Sequence, residues 1–205
     1  MVVYVSGWTI DRPQAASCGK GDGGRWCVDV GIKEVLTNRI QRSDFKMSQG
    51  FRGKVQSIMG FKDNLSTATS PLYPIMEISN FLVGSDSNPY TYPTISNSTL
   101  LGGKYCSTGD LDYKDAIVIL QNGNAQIYNS VLEGFDRYGL LLGDANVVSK
   151  TASGSDQLQF SNNSIHNVTT PFAAQIASTW AVANGCRLNS LGTMQDWIEG
   201  LAGVS

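Results

Sequence analysis

The sequence predicts an all-β chain: a right-handed parallel β-helix, or solenoid, with a short C-terminal helical segment covering one end. Three observations carry this expectation. The first is a phrase stated three times, Ile95-Ser-Asn97-Ser-Thr-Leu100-Leu-Gly102, Ile127-Tyr-Asn129-Ser-Val-Leu132-Glu-Gly134 and Phe160-Ser-Asn162-Asn-Ser-Ile165-His-Asn167. Each has a large apolar residue, Asn two places on and another apolar residue five places on. The copies start 32 residues apart (95 to 127) and then 33 (127 to 160), and a period of roughly 20–50 residues marks one supersecondary unit stacked on the next. The second is density: further short apolar segments recur within each period, so a coil must hold two or three strands. The third is composition, since 22 glycines and only 16% charged residues suit many short strands separated by tight turns.

Read in order, residues 1–42 form an irregular N-terminal part, 43–168 the coils and 169–205 the helical segment, all within one domain. Met1 to Thr9 alternate large and small residues as a starting strand does. A Gly-rich loop bracketed by Cys18 and Cys27 follows. Gly31-Ile-Lys-Glu-Val-Leu-Thr and Lys54-Val-Gln-Ser-Ile-Met59 fit successive strands, with Gly50, Gly53 and Gly60 as turns between them. Met76-Glu-Ile78-Ser-Asn80 is a partial copy of the phrase, but it lies 17 residues before the next (78 to 95), too close for a full coil, and belongs on another face. Tyr138-Gly-Leu-Leu-Leu142 reads as a strand and Asn146-Val-Val148 as a weaker one. Thr169-Thr-Pro171 supplies a hydroxyl cap and an early proline before an Ala-rich run that ends at Gly185, and a second short amphipathic piece starts at Thr193. These helices would cover the terminal strand edge of the coil.

In such a coil the Ile/Phe and Leu/Ile positions stack inward. Residues near Ile127 should pair with those near Ile95 and Phe160, and Asn97, Asn129 and Asn162 should align at one bend as a structural ladder of side-chain amides.

Composition also excludes. With 205 residues and 41% hydrophobic content the chain can bury a sizeable core. A formal charge of −2 with scattered Lys and Arg offers nothing to a phosphate backbone, so no nucleic-acid partner is expected. The longest aliphatic stretch, Ala116 to Leu120, is far short of the roughly 20 residues of a transmembrane helix. The start has neither the basic nor the continuous apolar region of a secretion signal. The chain is therefore cytosolic, or exported with its signal absent from the sequence; the Gly-, Ser-, Thr- and Asn-rich, charge-poor composition favours a secreted or cell-surface location. Closing the stretch between Cys18 and Cys27 with a disulfide would stabilise the fold by roughly 2–3 kcal/mol, which leaves Cys106 for Cys186. Four buried thiols are the alternative.

The middle of the chain resembles secreted, often lipid-anchored β-helix surface proteins of Bacteroidetes-type bacteria. The likeness rests on Ser43-Asp44-Phe45 with Gly50-Phe-Arg-Gly53-Lys54-Val-Gln56, on Gly84-Ser-Asp-Ser-Asn88 leading to Pro93-Thr-Ile-Ser-Asn97-Ser-Thr-Leu-Leu-Gly-Gly103, and on Ala125-Gln-Ile-Tyr-Asn-Ser-Val-Leu-Glu-Gly134. It spans roughly residues 43–145 and implies a fold and an exported location without implying an activity. Where such relatives carry a run of aspartates this chain has Gln41-Arg-Ser-Asp44, so no cation site is implied there. The pattern begins abruptly, as it would in a chain with further coils before it.

No combination of residues demands a reaction, so no catalytic, cofactor or metal residues are assigned and no cofactor is expected. Asp110, Asp112 and Asp115 form the best carboxylate cluster for a hard cation, but lack the turn Gly and distal Glu of a helix-loop-helix calcium site and read as a solvated loop. Asp136 and Arg137 beside Glu133 could stand for a lyase site; a surface ion pair is the simpler reading. His166 is the sole histidine, at a repeat position held by Glu133 and Leu101 in the other phrases, and reads as an outward or turn residue. The glycines around Lys20 lack the order of a phosphate-cradling loop. Tyr73, Tyr90 and Tyr92, near prolines, are the candidate ligand contacts, since exposed rings stack on sugar faces; packing of their loops onto the coil is the simpler reading. The expected function is a non-enzymatic surface module for adhesion to glycan or surface protein. The alternative is a polysaccharide lyase or glycoside hydrolase on the same scaffold.

Overall fold

The computed structural model describes residues 2–5, 14–21, 24–38, 43–62, 73–80, 90–105, 114–152, 158–173 and 187–189. The chain opens with β1 (Val2–Val5), a hairpin of β2 (Gln14–Gly21) and β3 (Gly24–Lys33), and β4 (Leu36–Asn38). Strands then come in threes: β5 (Phe45–Ser48), β6 (Lys54–Gln56) and β7 (Met59–Phe61); β8 (Met76–Ser79), β9 (Thr94–Ser96) and β10 (Thr99–Leu101); β11 (Ile117–Leu120), β12 (Ala125–Tyr128) and β13 (Val131–Glu133). A fourth set is β14 (Tyr138–Leu142), β15 (Leu158–Ser161) and β16 (Ser164–His166), with α1 (Ala145–Ser149) inserted after its first strand. The last described strands are β17 (Thr170–Phe172) and β18 (Arg187–Asn189).

The three strands of each set go to three different sheets. Sheet A is ordered β1-β5-β8-β11-β14-β17, sheet B β15-β12-β9-β6-β3-β2 and sheet C β18-β16-β13-β10-β7-β4. Neighbours are parallel throughout, except that β1 lies antiparallel on β5 and β2 antiparallel on β3. This is a parallel β-helix, and the two antiparallel strands cover the N-terminal edges of sheets A and B, where unpaired backbone would otherwise be open to other chains.

Among the described residues one residue makes each corner between sheets B and C: Glu34, Ser57, Asn97, Asn129 and Asn162, all left-handed with φ of 57°, 54°, 54°, 49° and 55°. Asn visits that region more readily than other side chains because its short amide bonds locally, which is why the repeated phrase carries it. The corners stack through the backbone, Asn97 N–H donating to Tyr128 C=O at 3.2 Å and Asn129 N–H to Ser161 C=O at 3.3 Å. Ile127 pairs with Ile95 on one side and Phe160 on the other. The amide ladder does not form: the side chains of Asn97, Asn129 and Asn162 are exposed, because the left-handed corner turns them outward. The polar ladder lies one residue later and inside. Ser98 N–H donates to Ser130 Oγ (3.2 Å), Ser130 N–H to Asn163 Oδ1 (2.8 Å) and Asn163 Nδ2 to Ile127 C=O (3.0 Å).

The core is a set of inward rows, with Ile32, Val55, Ile95, Ile127 and Phe160 from sheet B and Leu100, Leu132 and Ile165 from sheet C. Sheet A contributes Phe45, Met76, Ile117 and Leu140, all but fully buried. Phe172 lies edge-on to Phe160, ring centroids 5.9 Å apart.

Several expectations are corrected. Parallel pairing begins at β3 and β4, before residue 43, since within the stretch expected to be irregular β3 joins sheet B and β4 joins sheet C. Gly60 is no turn but the middle of β7, where an added Cβ would overlap Ile75 Cγ2. Asn146-Val-Val148 is helical in α1, because the Asp144 side chain accepts the Val147 N–H at 2.9 Å and caps it. Thr170-Pro171-Phe172 continues sheet A as β17 instead of starting a helix; its partner among the described strands is β14 alone, the edge setting in which proline is tolerated. Residues 187–189 likewise extend sheet C. Met76–Asn80 does lie on another face, as β8 in sheet A. The rest of the expected helical segment, with Cys106 and Cys186, lies outside the described residues.

Candidate functional site

Strand alternation puts Lys54, Thr94, Gln126 and Gln159 on the outer surface of sheet B, each immediately before an inward Val55, Ile95, Ile127 or Phe160. Parallel pairing stacks the four in successive coils about 4.8 Å apart. Thr94 Oγ1 donates to Gln126 Oε1 at 3.0 Å, and Gln126 Nε2 points to Gln159 Oε1 at 3.5 Å. Tyr128, two residues along from Gln126 on the same face, donates its hydroxyl to Gln159 Oε1. Its pKa is raised above the ordinary 10.0, first by burial and then by the neighbouring Tyr92 phenol.

Arg52 and Tyr92 stand two residues before the paired Lys54 and Thr94, so they too are stacked neighbours. The backbone bond from Tyr92 N–H to Phe51 C=O (2.7 Å) fixes them, and the Arg52 guanidinium carbon lies 5.7 Å from the Tyr92 ring centroid, a cation–π contact. Arg52 and Lys54 are exposed. The surface therefore combines a row of amide and hydroxyl groups at coil spacing, two phenol rings and two cations. It can form repeated hydrogen bonds to an extended polar chain and stack a ring face.

The tyrosines named from sequence separate. Tyr90 and Tyr92 both precede sheet B, with Lys150 Nζ 5.8 Å from the Tyr90 ring. Tyr73 precedes sheet A, at a different corner. Asp115 is buried and held in a two-point pair by Arg137, Nε to Oδ1 at 2.8 Å and Nη2 to Oδ2 at 2.5 Å, while accepting the Tyr138 N–H at 3.2 Å. Asp115 is therefore a buried residue and not part of a solvated loop, and the ion pair expected of Arg137 is made with Asp115, whose hydrogen bonds are the chief cause of the raised Arg137 pKa. Asp110 and Asp112 lie outside the described residues, among which no three His, Cys, Asp or Glu side chains gather as metal ligands. His166 is in β16, stacked in register on Glu133 and Leu101. All three are buried, His166 at 8% exposure, so it is not the solvent-facing residue the sequence suggested. No helix among the described residues is long and apolar enough to cross a membrane.

Thr94, Gln126, Tyr128 and Gln159 were not singled out from sequence. The signal was present: each sits next to the apolar residue that begins a repeated phrase, so period-two alternation and the 32–33-residue spacing together place them in one outward patch. No protein-family model matches the chain, and comparison with curated proteins and with solved structures yields no match.

Proposed function

We propose that the chain is a non-enzymatic, secreted or cell-surface β-helix module that binds glycans along the outer face of sheet B, as part of adhesion to a cell or matrix. The observation that carries this reading is the hydrogen-bonded Thr94–Gln126–Gln159 row flanked by Tyr128 and the Arg52–Tyr92 stack. Its spacing of about 4.8 Å is close to the rise of one sugar unit in an extended glycan, so one coil can meet each sugar. Arg52 and Lys54 favour acidic sugars over neutral ones. The lyase or glycosidase alternative has weaker support, because Arg137 and Asp115 satisfy each other.

Export gains support from the β2–β3 hairpin, whose register makes Cys18 and Cys27 direct partners. Only Asp22 and Gly23 separate the paired Gly21 and Gly24. In a two-residue hairpin the closing pair is hydrogen-bonded and pairs alternate from there, so three steps on the cysteines occupy a non-hydrogen-bonded pair. Cα atoms there are about 4.5 Å apart, within disulfide reach. The resemblance to exported surface β-helix proteins points the same way.

The test is a glycan array spanning neutral and acidic oligosaccharides, run beside a pull-down of matrix proteins. Retention of uronate- or sialate-bearing glycans, lost in Tyr92→Ala, is the expected result. A blank array at high protein concentration would remove the reading, and release of unsaturated or reducing sugars from acidic polysaccharide would replace it with the lyase.

A further inference from the structure

Beneath the first coils, where sheet C turns towards sheet A, the interior holds a Lys, an Asp and a Thr among apolar side chains. Lys62 follows β7 and Asp44 precedes β5; their side chains are 1% and 0% exposed, and Lys62 Nζ lies 2.5 Å from Asp44 Oδ1. Asp44 Oδ2 accepts the Thr37 hydroxyl at 2.5 Å. The two carboxylate oxygens are thus divided, Oδ1 against the Lys62 ammonium and Oδ2 on the Thr37 hydroxyl. Gly60 makes the space: a Cβ there would overlap Ile75 Cγ2 and stand 3.5 Å from Asp44 Oδ2. Both backbones are anchored to the next coil, Lys62 N–H to Leu101 C=O and Phe45 N–H to Ile75 C=O, each at 2.9 Å.

We propose that Lys62 and Asp44 condense into an intramolecular isopeptide bond that staples two corners of the first coils. One proton passes from the Lys62 ammonium to Asp44 Oδ1, giving a neutral amine and a neutral acid. Nζ then bonds to Cγ, the Cγ–Oδ1 bond breaks, and Oδ1 leaves as water with a second proton from nitrogen. Oδ2 stays as the amide carbonyl oxygen, already holding the Thr37 hydroxyl as its donor, a placement that also stabilises negative charge on that oxygen during addition. No oxidant or cofactor enters the balance.

The surroundings drive the step in this direction. A buried ion pair bears the desolvation cost of two charges, whereas the amide bears none and its carbonyl is satisfied. A dry interior also favours loss of water. Burial raises the Asp44 pKa and lowers that of Lys62, each against the pull of the other's charge, towards the neutral forms that react. The inference stands apart from glycan binding and does not need it.

Mass spectrometry of the denatured, reduced chain decides it. The expected mass is one water below the sequence mass, and the deficit survives reduction, unlike that of a disulfide. Trypsin should leave Lys62 uncut and release the Ser43–Lys46 peptide joined to the Val55–Lys104 peptide. Asp44→Ala and Lys62→Arg should each return the full sequence mass. A wild-type chain of full mass, or one that has lost water with Lys62 still cleaved, as a cyclised aspartate would, overturns the proposal and leaves an ordinary buried ion pair.

Discussion

Replacing Asn163 with Ala should destabilise the protein far more than replacing its neighbour Asn162, although both are asparagines of the repeated phrase. Asn163 is fully buried; its Oδ1 takes the Ser130 N–H at 2.8 Å and its Nδ2 serves the Ile127 carbonyl at 3.0 Å. Truncation strands one backbone donor and one acceptor inside the coil, each at about 1–3 kcal/mol, so the expected loss is about 2–6 kcal/mol. Asn162 is exposed and holds only a left-handed backbone at φ 55°. Asn162→Ala should cost about 1–2 kcal/mol and Asn162→Gly much less. Urea unfolding followed by tryptophan fluorescence reads the difference as a shift in midpoint at constant slope. If Asn163→Ala stays within about 0.5 kcal/mol of the parent, inside the range of an ordinary surface change, or if Asn162→Ala is the more damaging, the interior-ladder reasoning is wrong.

Gly102→Ala should unfold or severely destabilise the chain, because its Cβ would overlap the Gly134 carbonyl and stand 2.9 Å from Phe135 Cδ1; soluble yield and circular dichroism check this. Arg137→Ala should cost about 1–3 kcal/mol in thermal denaturation, less than the loss of a fully buried partner because the Arg137 side chain is 34% exposed and water screens the pair. Tyr128 has a raised folded pKa, so its contribution is complete below the ordinary 10.0 and is lost as pH rises through the folded value; Tyr128→Phe should flatten the alkaline fall in melting temperature, and an unchanged fall would contradict the assignment. Thiol titration of the unfolded, unreduced protein should find no free cysteine, whereas four free thiols would remove the disulfide support for export.

The inward rows were legible because Ile95, Ile127 and Phe160 recur at a nearly constant spacing with a second apolar residue five places on, a pattern that a single repeated corner imposes. The earlier coils were not. From Ile32 to Val55 the interval is 23 residues and from Val55 to Ile95 it is 40, so the number of residues between paired strands changes without disturbing the register. The corner residues there are Glu34 and Ser57, which hold the same backbone conformation without Asn. The asparagine spacing showed that Asn97, Asn129 and Asn162 share a corner, but not which way their side chains point, and the buried role passed to Ser98, Ser130 and Asn163. Local signals misled where tertiary pairing overrode them: Thr169-Thr-Pro171 has the grammar of a helix start, yet sheet A recruits Thr170–Phe172 through β14. The Lys62–Asp44 contact joins residues whose proximity depends on Gly60 emptying a core position, which no periodicity encodes.

The most direct measurement of the central claim is calorimetric titration of the strongest acidic oligosaccharide from the array into three proteins: the parent, Gln126→Ala on the outer face of sheet B, and Met59→Ser on the exposed outer face of sheet C. Gln126→Ala removes the middle of the Thr94–Gln159 row and should weaken binding about tenfold, roughly the 1.5 kcal/mol of a hydrogen-bonding group lost at an interface, while Met59→Ser binds as the parent does. Equal affinity of the parent and Gln126→Ala, or loss confined to Met59→Ser, would contradict the assignment of sheet B as the binding face.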